Sequence, residues 1–444
     1  MSTVSIAKGA PRYRSTRAQD DATVSFADAL LKGLAADGGL FVPTHVPKVE
    51  PSSWQNAETL AELGVNVLGT WLGEEISRAD LEKIVHDALN FETSLVQLED
   101  DLWVLELFHG PTLSFKDYGA RTMARLMQHF LNERGERRTI LVATSGDTGS
   151  AVADGFAGQD NIDVVLLYPK GKVSEVQERQ LIVKRPKVRS FAVTGDFDAC
   201  QRMVKAAFVD PELSHLPLSS ANSINIGRLL PQSLYYLWAA ARTGAKNFCV
   251  PSGNLGNLTG GVLASLAAAE FEVQRFVAAH NANHFFPDFL ANKTEAYDFD
   301  PTVHTVSNAM DVGSPSNFER LHALLGTERS REWIWGTSVD DAATLARMRA
   351  SYETFNYIAC PHTAVGLEGV ARYRAETGDK KTGDKNALVS LACAHPAKFP
   401  VAVREALGVQ PPKEEALESL TAQPTQVTAL EPTLDALRAE LLRA

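Results

Sequence analysis

Short continuous apolar runs alternate along this chain with stretches of helical period. The run Trp103-Val104-Leu105-Glu106-Leu107-Phe108 reads as a buried strand, which Gly110 and Pro111 break. Over residues 117–132, Met123, Leu126, Met127 and Phe130 recur at the spacing of one helix face. Ser114 is the candidate N-cap of that helix. Two further β-rich runs, 139–143 and 247–250, each lead through a glycine-containing turn into a helical stretch, 151–156 and 258–269 respectively. The run 164–169 has the same strand-then-helix look, and Leu60, Leu63, Val67 and Leu68 mark an amphipathic helix near the N-terminus.

This alternation predicts an α/β fold with mostly parallel sheets and sites at the C-terminal ends of strands. The pattern divides the chain into an N-terminal domain (1–92), a second part (93–230), a third (231–409) and a tail (410–444). The tail is rich in proline, glutamate and alanine and ends in a helix with Leu434, Leu437 and Leu441 on one face, expected to dock on the body. The stretch 377–385 repeats Thr-Gly-Asp-Lys and reads as an exposed loop.

Composition narrows the function. At 444 residues the chain exceeds one ordinary core, and 45% hydrophobic with 22% charged residues is the balance of a globular protein. The net charge of −11 disfavours a nucleic-acid surface, so any anionic substrate must be drawn in by local cations. The four cysteines, Cys200, Cys249, Cys360 and Cys393, show no metal or redox spacing and suit a reducing compartment. No run of about 20 apolar residues suggests a membrane span. The N-terminus lacks the apolar core of a signal peptide, and a cytoplasmic location is expected.

The chemistry centres on Lys116, placed at the joint between the 103–108 run and the following helix. A helix N-terminus opposes a positive charge, which suits an amine held neutral or bonded as an imine; the alternative is a solvated lysine. The turns Thr144-Ser145-Gly146-Asp147-Thr148-Gly149-Ser150 and Pro251-Ser252-Gly253-Asn254-Leu255-Gly256-Asn257 each aim backbone N–H groups and a helix N-terminus at one spot, as an anion cradle does. Neither matches a nucleotide-binding fingerprint. A lysine with two anion cradles suggests a cofactor carrying an aldehyde and a phosphate, namely pyridoxal 5'-phosphate.

The chain resembles the threonine synthases, pyridoxal-phosphate enzymes of fold type II (tryptophan synthase β-like), in the longer fungal and enterobacterial branch. The resemblance rests on Ser15-Thr16-Arg17, Asp37-Gly38-Gly39-Leu40-Phe41-Val42-Pro43, the run around Lys116, the Thr144 loop, Asn222-Ser223-Ile224-Asn225 through Arg228, the Gly253 loop, Asn281-Ala282-Asn283, residues 309–320 and Pro361-His362-Thr363-Ala364-Val365-Gly366. It implies two parallel-sheet domains plus an N-terminal α/β domain. It also implies a carbon–oxygen lyase that turns O-phospho-L-homoserine and water into L-threonine and phosphate. Lys116 would be the Schiff-base lysine and catalytic base. Gly253, Asn254, Leu255, Gly256 and Asn257 would cradle the cofactor phosphate, and Thr363 would lie against the ring nitrogen unless it is simply a helix N-cap. Thr144, Ser145 and Thr148 would receive the substrate carboxylate. Asp147, which would repel that carboxylate, would instead face the cofactor hydroxyl, a neighbouring amide or the substrate ammonium. Ser114, Asn225, Arg228 and Arg320 are candidates for the substrate phosphate, each arginine having a structural ion pair as its alternative. Arg17 and Arg121 are weaker candidates. A monomer or weak homo-oligomer is expected.

Three positions depart from the family pattern: Ala18, Pro231 and His284. His280 and His284 have an i, i+4 spacing, but no third ligand accompanies them and no metal is expected. Two other functions share the motifs: an O-phosphohomoserine phospholyase releasing 2-oxobutyrate, and a non-catalytic pyridoxal-phosphate-binding protein.

Overall fold

The computed structural model describes residues 5–144, 146–378 and 387–443; Ser145 and most of the 377–385 stretch lie outside it. Among the described residues the fold is built on two large sheets. One is wholly parallel, in the order Leu218–Ser219, Arg138–Ala143, Ile162–Pro169, Val188–Val193, Thr428–Leu430. The other runs Ile334–Ser338, Arg275–His280, Asn247–Pro251, Leu388–Ala392, Leu102–Glu106, Ser94–Glu99, with only the last pair antiparallel. The parts 93–230 and 231–409 do not each own one sheet, because the strands Ser94–Glu99 and Leu102–Glu106 cross into the sheet built mainly from residues 247–392.

Period-2 alternation explains how each sheet is covered on both faces. Ile140 and Val142 join the main core, which also holds Met123 and Phe130 of the Lys116 helix, whereas Leu141 and Ala143 join a second core with Met203, Leu437 and Leu441. In the other sheet Phe248 and Val250 face the main core, and Cys249 faces a separate cluster with Val277 and Val365.

The Lys116 helix, Lys116–Arg134, buries Met123, Leu126, Met127 and Phe130 as its period predicts and stops at Gly135, a left-handed C-cap. Ser114 is not its N-cap. Phe115 takes that position without a side-chain cap, while the Ser114 carbonyl accepts the Asp117 N–H at 3.1 Å. The N-terminal helix Leu60–Leu72 starts at Thr59, whose hydroxyl accepts from the Glu62 N–H, and buries Trp71 and Val65 as well as the expected stripe.

The tail is more than a docked helix. Thr428–Leu430 completes the first sheet, and the helix Leu434–Leu442 buries Leu437 and Leu441 against the second core. Leu437→Ala is expected to cost about 2–5 kcal/mol, read as a lower urea midpoint with an unchanged m-value. Loss of less than about 0.5 kcal/mol would show that the tail is peripheral.

Candidate functional site

A cavity of about 1010 Å³ opens where the strand C-terminal ends of both sheets meet, at Thr144, Ser252 and Cys393. Lys116, the first residue of its helix, lines it. Its amine makes no hydrogen bond or ion pair among the described residues. Desolvation pulls that amine from the ordinary lysine range to about 8; Asp147 opposes the shift, while Lys398 and Arg228 reinforce it.

The 253–257 turn forms one wall. Gly253 is required there, since a Cβ would come within 2.8 Å of the Met310 Cα. Leu255 adopts a left-handed conformation (φ 60°) and sets the start of the helix Gly256–Ala267, whose first-turn N–H groups have no intrahelical acceptor. Asn254 is tied down by donating to the Ser223 hydroxyl at 2.7 Å. Asn257 accepts at Oδ1 from the hydroxyls of Tyr235 (2.7 Å) and Tyr236 (2.8 Å), which leaves its buried Nδ2 a donor without a partner. The first-turn N–H groups and the Asn257 Nδ2 are donors, the chemistry that suits a phosphate.

Opposite lies the helix Asp147–Phe156. Gly146 opens it at φ 133°, where a Cβ would strike the Gln177 amide at 2.7 Å. The Thr144 hydroxyl is committed to this turn, accepting from the N–H groups of Gly146 (3.0 Å) and Gly149 (2.7 Å). Thr148 lines the cavity; Ser145 lies outside the described residues. Asp147 faces two groups, the Gln177 amide, which donates at 3.0 Å, and the fully buried Lys398 ammonium at 2.7 Å. Burial disfavours the Asp147 carboxylate, but Lys398, Lys116 and His362 outweigh it and hold the carboxylate well below its usual range.

The candidate phosphate ligands separate. Arg228 lines the cavity, donates to the Ala221 carbonyl at 2.7 Å, and leaves Nε buried without a partner. It has no carboxylate partner among the described residues, and burial pushes it down to about 10. Arg320 is spent on the Phe41 and Ile224 carbonyls and the Asn317 side chain, and is not part of the cavity wall. The Asn225 amide caps a short helix through Gly227 and donates to the Leu30 and Ser220 carbonyls, so it too is committed away from the cavity. Ser114 is buried with an unpartnered Oγ, behind the wall. Arg121 holds the carbonyls of Asp87 and Ala88, and Arg17 pairs with Glu319 at the cavity rim.

Thr363 is not an N-cap: Cys360 caps the helix Pro361–Thr377, and the Thr363 hydroxyl sits 3.2 Å from the Cys360 sulfur. Its neighbour His362 reaches the cavity, accepts the Ala309 N–H at 3.1 Å, and is pulled down to about 4 by burial, hence neutral. His280 ends a strand and His284 pairs with Asp288 at 2.8 Å; no group placed to hold a metal occurs among the described residues. Sequence reasoning passes over Lys398 and His362. A lysine just beyond the apolar strand Leu388–Ala392, at its C-terminal end, is the signal that could have found the former.

Comparison with known proteins gives three matching family models: "Pyridoxal-phosphate dependent enzyme" over residues 88–389, "Threonine synthase N terminus" over 12–89 and "Threonine synthase, C-terminal" over 363–440. The chain is 38% identical over 432 residues to the threonine synthase of Haemophilus influenzae, covering 95% of this chain and 97% of that one. It is 40% identical over 409 residues to that of Escherichia coli, covering 88% and 91%. It also superposes on the structure of PLP-bound threonine synthase from Brucella melitensis with a TM-score of 0.88 at 34% identity, covering 98% and 99%. For the yeast threonine synthase structure the TM-score is 0.86 at 30% identity, with the same coverage.

Proposed function

Because the chain belongs to the pyridoxal-phosphate-dependent threonine synthase family, we propose that it converts O-phospho-L-homoserine and water to L-threonine and phosphate. The observation that carries this reading is the convergence on one cavity of a desolvated lysine amine and a guanidinium, neither paired with a carboxylate among the described residues, with the free N–H groups of the Gly256 helix start and the Asn257 Nδ2.

The residues present fit the cofactor. The donors of the Gly253–Asn257 turn suit its phosphate, and Lys116 is the amine its aldehyde requires. Thr363 does not itself line the cavity; from its place beside the cavity-lining His362, its hydroxyl is the one we assign to the ring nitrogen. Bound there, pyridoxal phosphate supplies an electron sink for negative charge developing on the substrate carbons.

The protein's own groups do the rest. With an amine near 8, a useful fraction of Lys116 is neutral at physiological pH, so it can take the Cα proton and later a Cβ proton, and return one at Cγ. An ordinary lysine, near 10.4, would be almost entirely protonated. Arg228 is assigned to the substrate phosphate, holding the group that leaves from Cγ. The N-terminal turn of the Asp147 helix, with Thr148, is assigned to the substrate carboxylate. Water then adds its hydroxyl at Cβ and Lys116 returns the second proton at Cα, so that one phosphate is lost, carrying the proton of water, and one hydroxyl is gained.

The test is product analysis with cofactor-loaded protein and O-phospho-L-homoserine, quantifying phosphate, threonine and 2-oxobutyrate together. Threonine and phosphate in equal amounts are expected. Phosphate with 2-oxobutyrate would transfer the assignment to a phospholyase, and no phosphate would overturn both.

A further inference from the structure

An aspartate at the mouth of an anion-binding helix is an electrostatic contradiction. Asp147 occupies the first residue of its helix, on the cavity wall, where a bare carboxylate would repel an incoming one. Its neighbour Lys398 is equally out of place, since a lysine is seldom buried completely unless paired.

Each resolves the other. The Lys398 ammonium lies 2.7 Å from Asp147 Oδ1 and donates to the Thr112 carbonyl at 2.9 Å. Thr112 belongs to the loop that delivers Lys116, and its N–H and hydroxyl both donate to Asp117, the residue after Lys116. One buried charge thus joins the first turn of the carboxylate-facing helix to the loop of the reactive lysine. The surroundings fix its position. The Lys398 carbonyl accepts from the Ser174 hydroxyl at 3.4 Å, and Gln177, on the helix that Ser174 caps, completes the hydrogen bonds to Asp147.

We propose that Lys398 is a positioning residue of this reaction: held between Asp147 and the Thr112 carbonyl, it neutralises Asp147, so that the adjoining helix N-terminus can receive a carboxylate and the Lys116 amine is not left facing an uncompensated one. The carboxylate half rests on the function proposed above; the electrostatic half does not. The groups facing Lys116 are Asp147 on one helix, Lys398 and Cys393 beyond the strand Leu388–Ala392, Arg228, and His362. Of these groups Asp147 favours the protonated amine most strongly, and Lys398 is the partner bound to it.

Opposite substitutions therefore act with opposite signs. Lys398→Met leaves Asp147 uncompensated, and Asp147→Asn leaves Lys398 uncompensated. The first readout is the rate at which cofactor-free protein captures pyridoxal phosphate, followed by absorbance against pH, since only neutral Lys116 reacts. The wild-type midpoint is expected near 8. It should rise by about one unit in Lys398→Met and fall by about one unit in Asp147→Asn. A structural role alone would move both in the same direction or neither.

The second readout is steady-state kinetics of the loaded enzyme. Lys398→Met should raise KM for O-phospho-L-homoserine about tenfold, by more than it lowers kcat. The double variant, which carries neither charge, should return KM to within about threefold of wild type. If Lys398→Met fails to fold, the near-isosteric Asp147→Asn and the double variant carry both readouts. An unmoved capture midpoint in Asp147→Asn, or a double variant with KM at least tenfold above wild type, would overturn the proposal. Wild-type protein that makes no threonine would sink the functional reading while leaving the capture midpoints to judge Lys398 independently.

Discussion

Lys116→Ala is expected to give a folded protein whose threonine and phosphate production falls by at least about 10⁴-fold, with no lysine-linked cofactor absorbance. The two roles proposed for it disappear together, covalent capture of the aldehyde and proton transfer at the substrate carbons, and no neighbour is placed to take over either. Lys398 is held by Asp147 and Thr112, Arg228 stays charged at any working pH, and His362 is a weak base near 4 that accepts a backbone N–H. Folding should survive, because the Lys116 amine makes no hydrogen bond or ion pair among the described residues and alanine suits the first turn of a helix. Removing a desolvated cation should leave the thermal midpoint unchanged or slightly higher. Calorimetry beside product analysis checks both halves. Residual activity above about one per cent of wild type would mean that another group abstracts the proton.

The parts of this site that are legible in the sequence are those whose chemistry lies in contiguous residues. A strand, a glycine turn and a helix placed end to end carry their own signal, so residue order alone marks Lys116 and the 253–257 turn. Polar residues inside such motifs are harder to interpret. Asn225 and Arg320 look like ligands by residue type, yet in space each is consumed by backbone carbonyls, Asn225 by Leu30 and Ser220, Arg320 by Phe41 and Ile224. A side chain that satisfies main-chain groups and one that awaits a substrate have the same composition, and only the presence of a partner separates them. Lys398 escapes for the opposite reason: its partners Thr112 and Asp147 lie far back in the chain, and nothing local marks a lysine as buried. Distance along the chain also hides the strand Thr428–Leu430, whose pairing with Val188–Val193 stabilises a segment too short to show alternation by itself.

The same distinction between satisfied and unsatisfied groups gives the second large expectation. Arg228→Met should raise KM for O-phospho-L-homoserine about a hundredfold, near 3 kcal/mol, and abolish competitive inhibition by inorganic phosphate, without lowering the thermal midpoint. The guanidinium is buried, bonded to one carbonyl, unpaired with any carboxylate among the described residues, and orphaned at Nε. Burying a charge so poorly compensated costs the folded state, and an apolar side chain of similar length relieves that cost. Under the proposed role, the anion restores the missing partner when it binds, which would account for a cost retained in the free protein. Arg320→Met provides the contrast. That guanidinium is equally buried but fully engaged, anchoring Phe41 of the N-terminal segment to Ile224. Its loss strands those carbonyls, so the midpoint should fall, with KM changing less than in the Arg228 variant. Were Arg228→Met to keep wild-type KM and lose stability, Arg228 would be an anchor like Arg320. The substrate phosphate would then have to be met elsewhere on the wall, for which Arg17, at the rim and already paired with Glu319, is the remaining arginine.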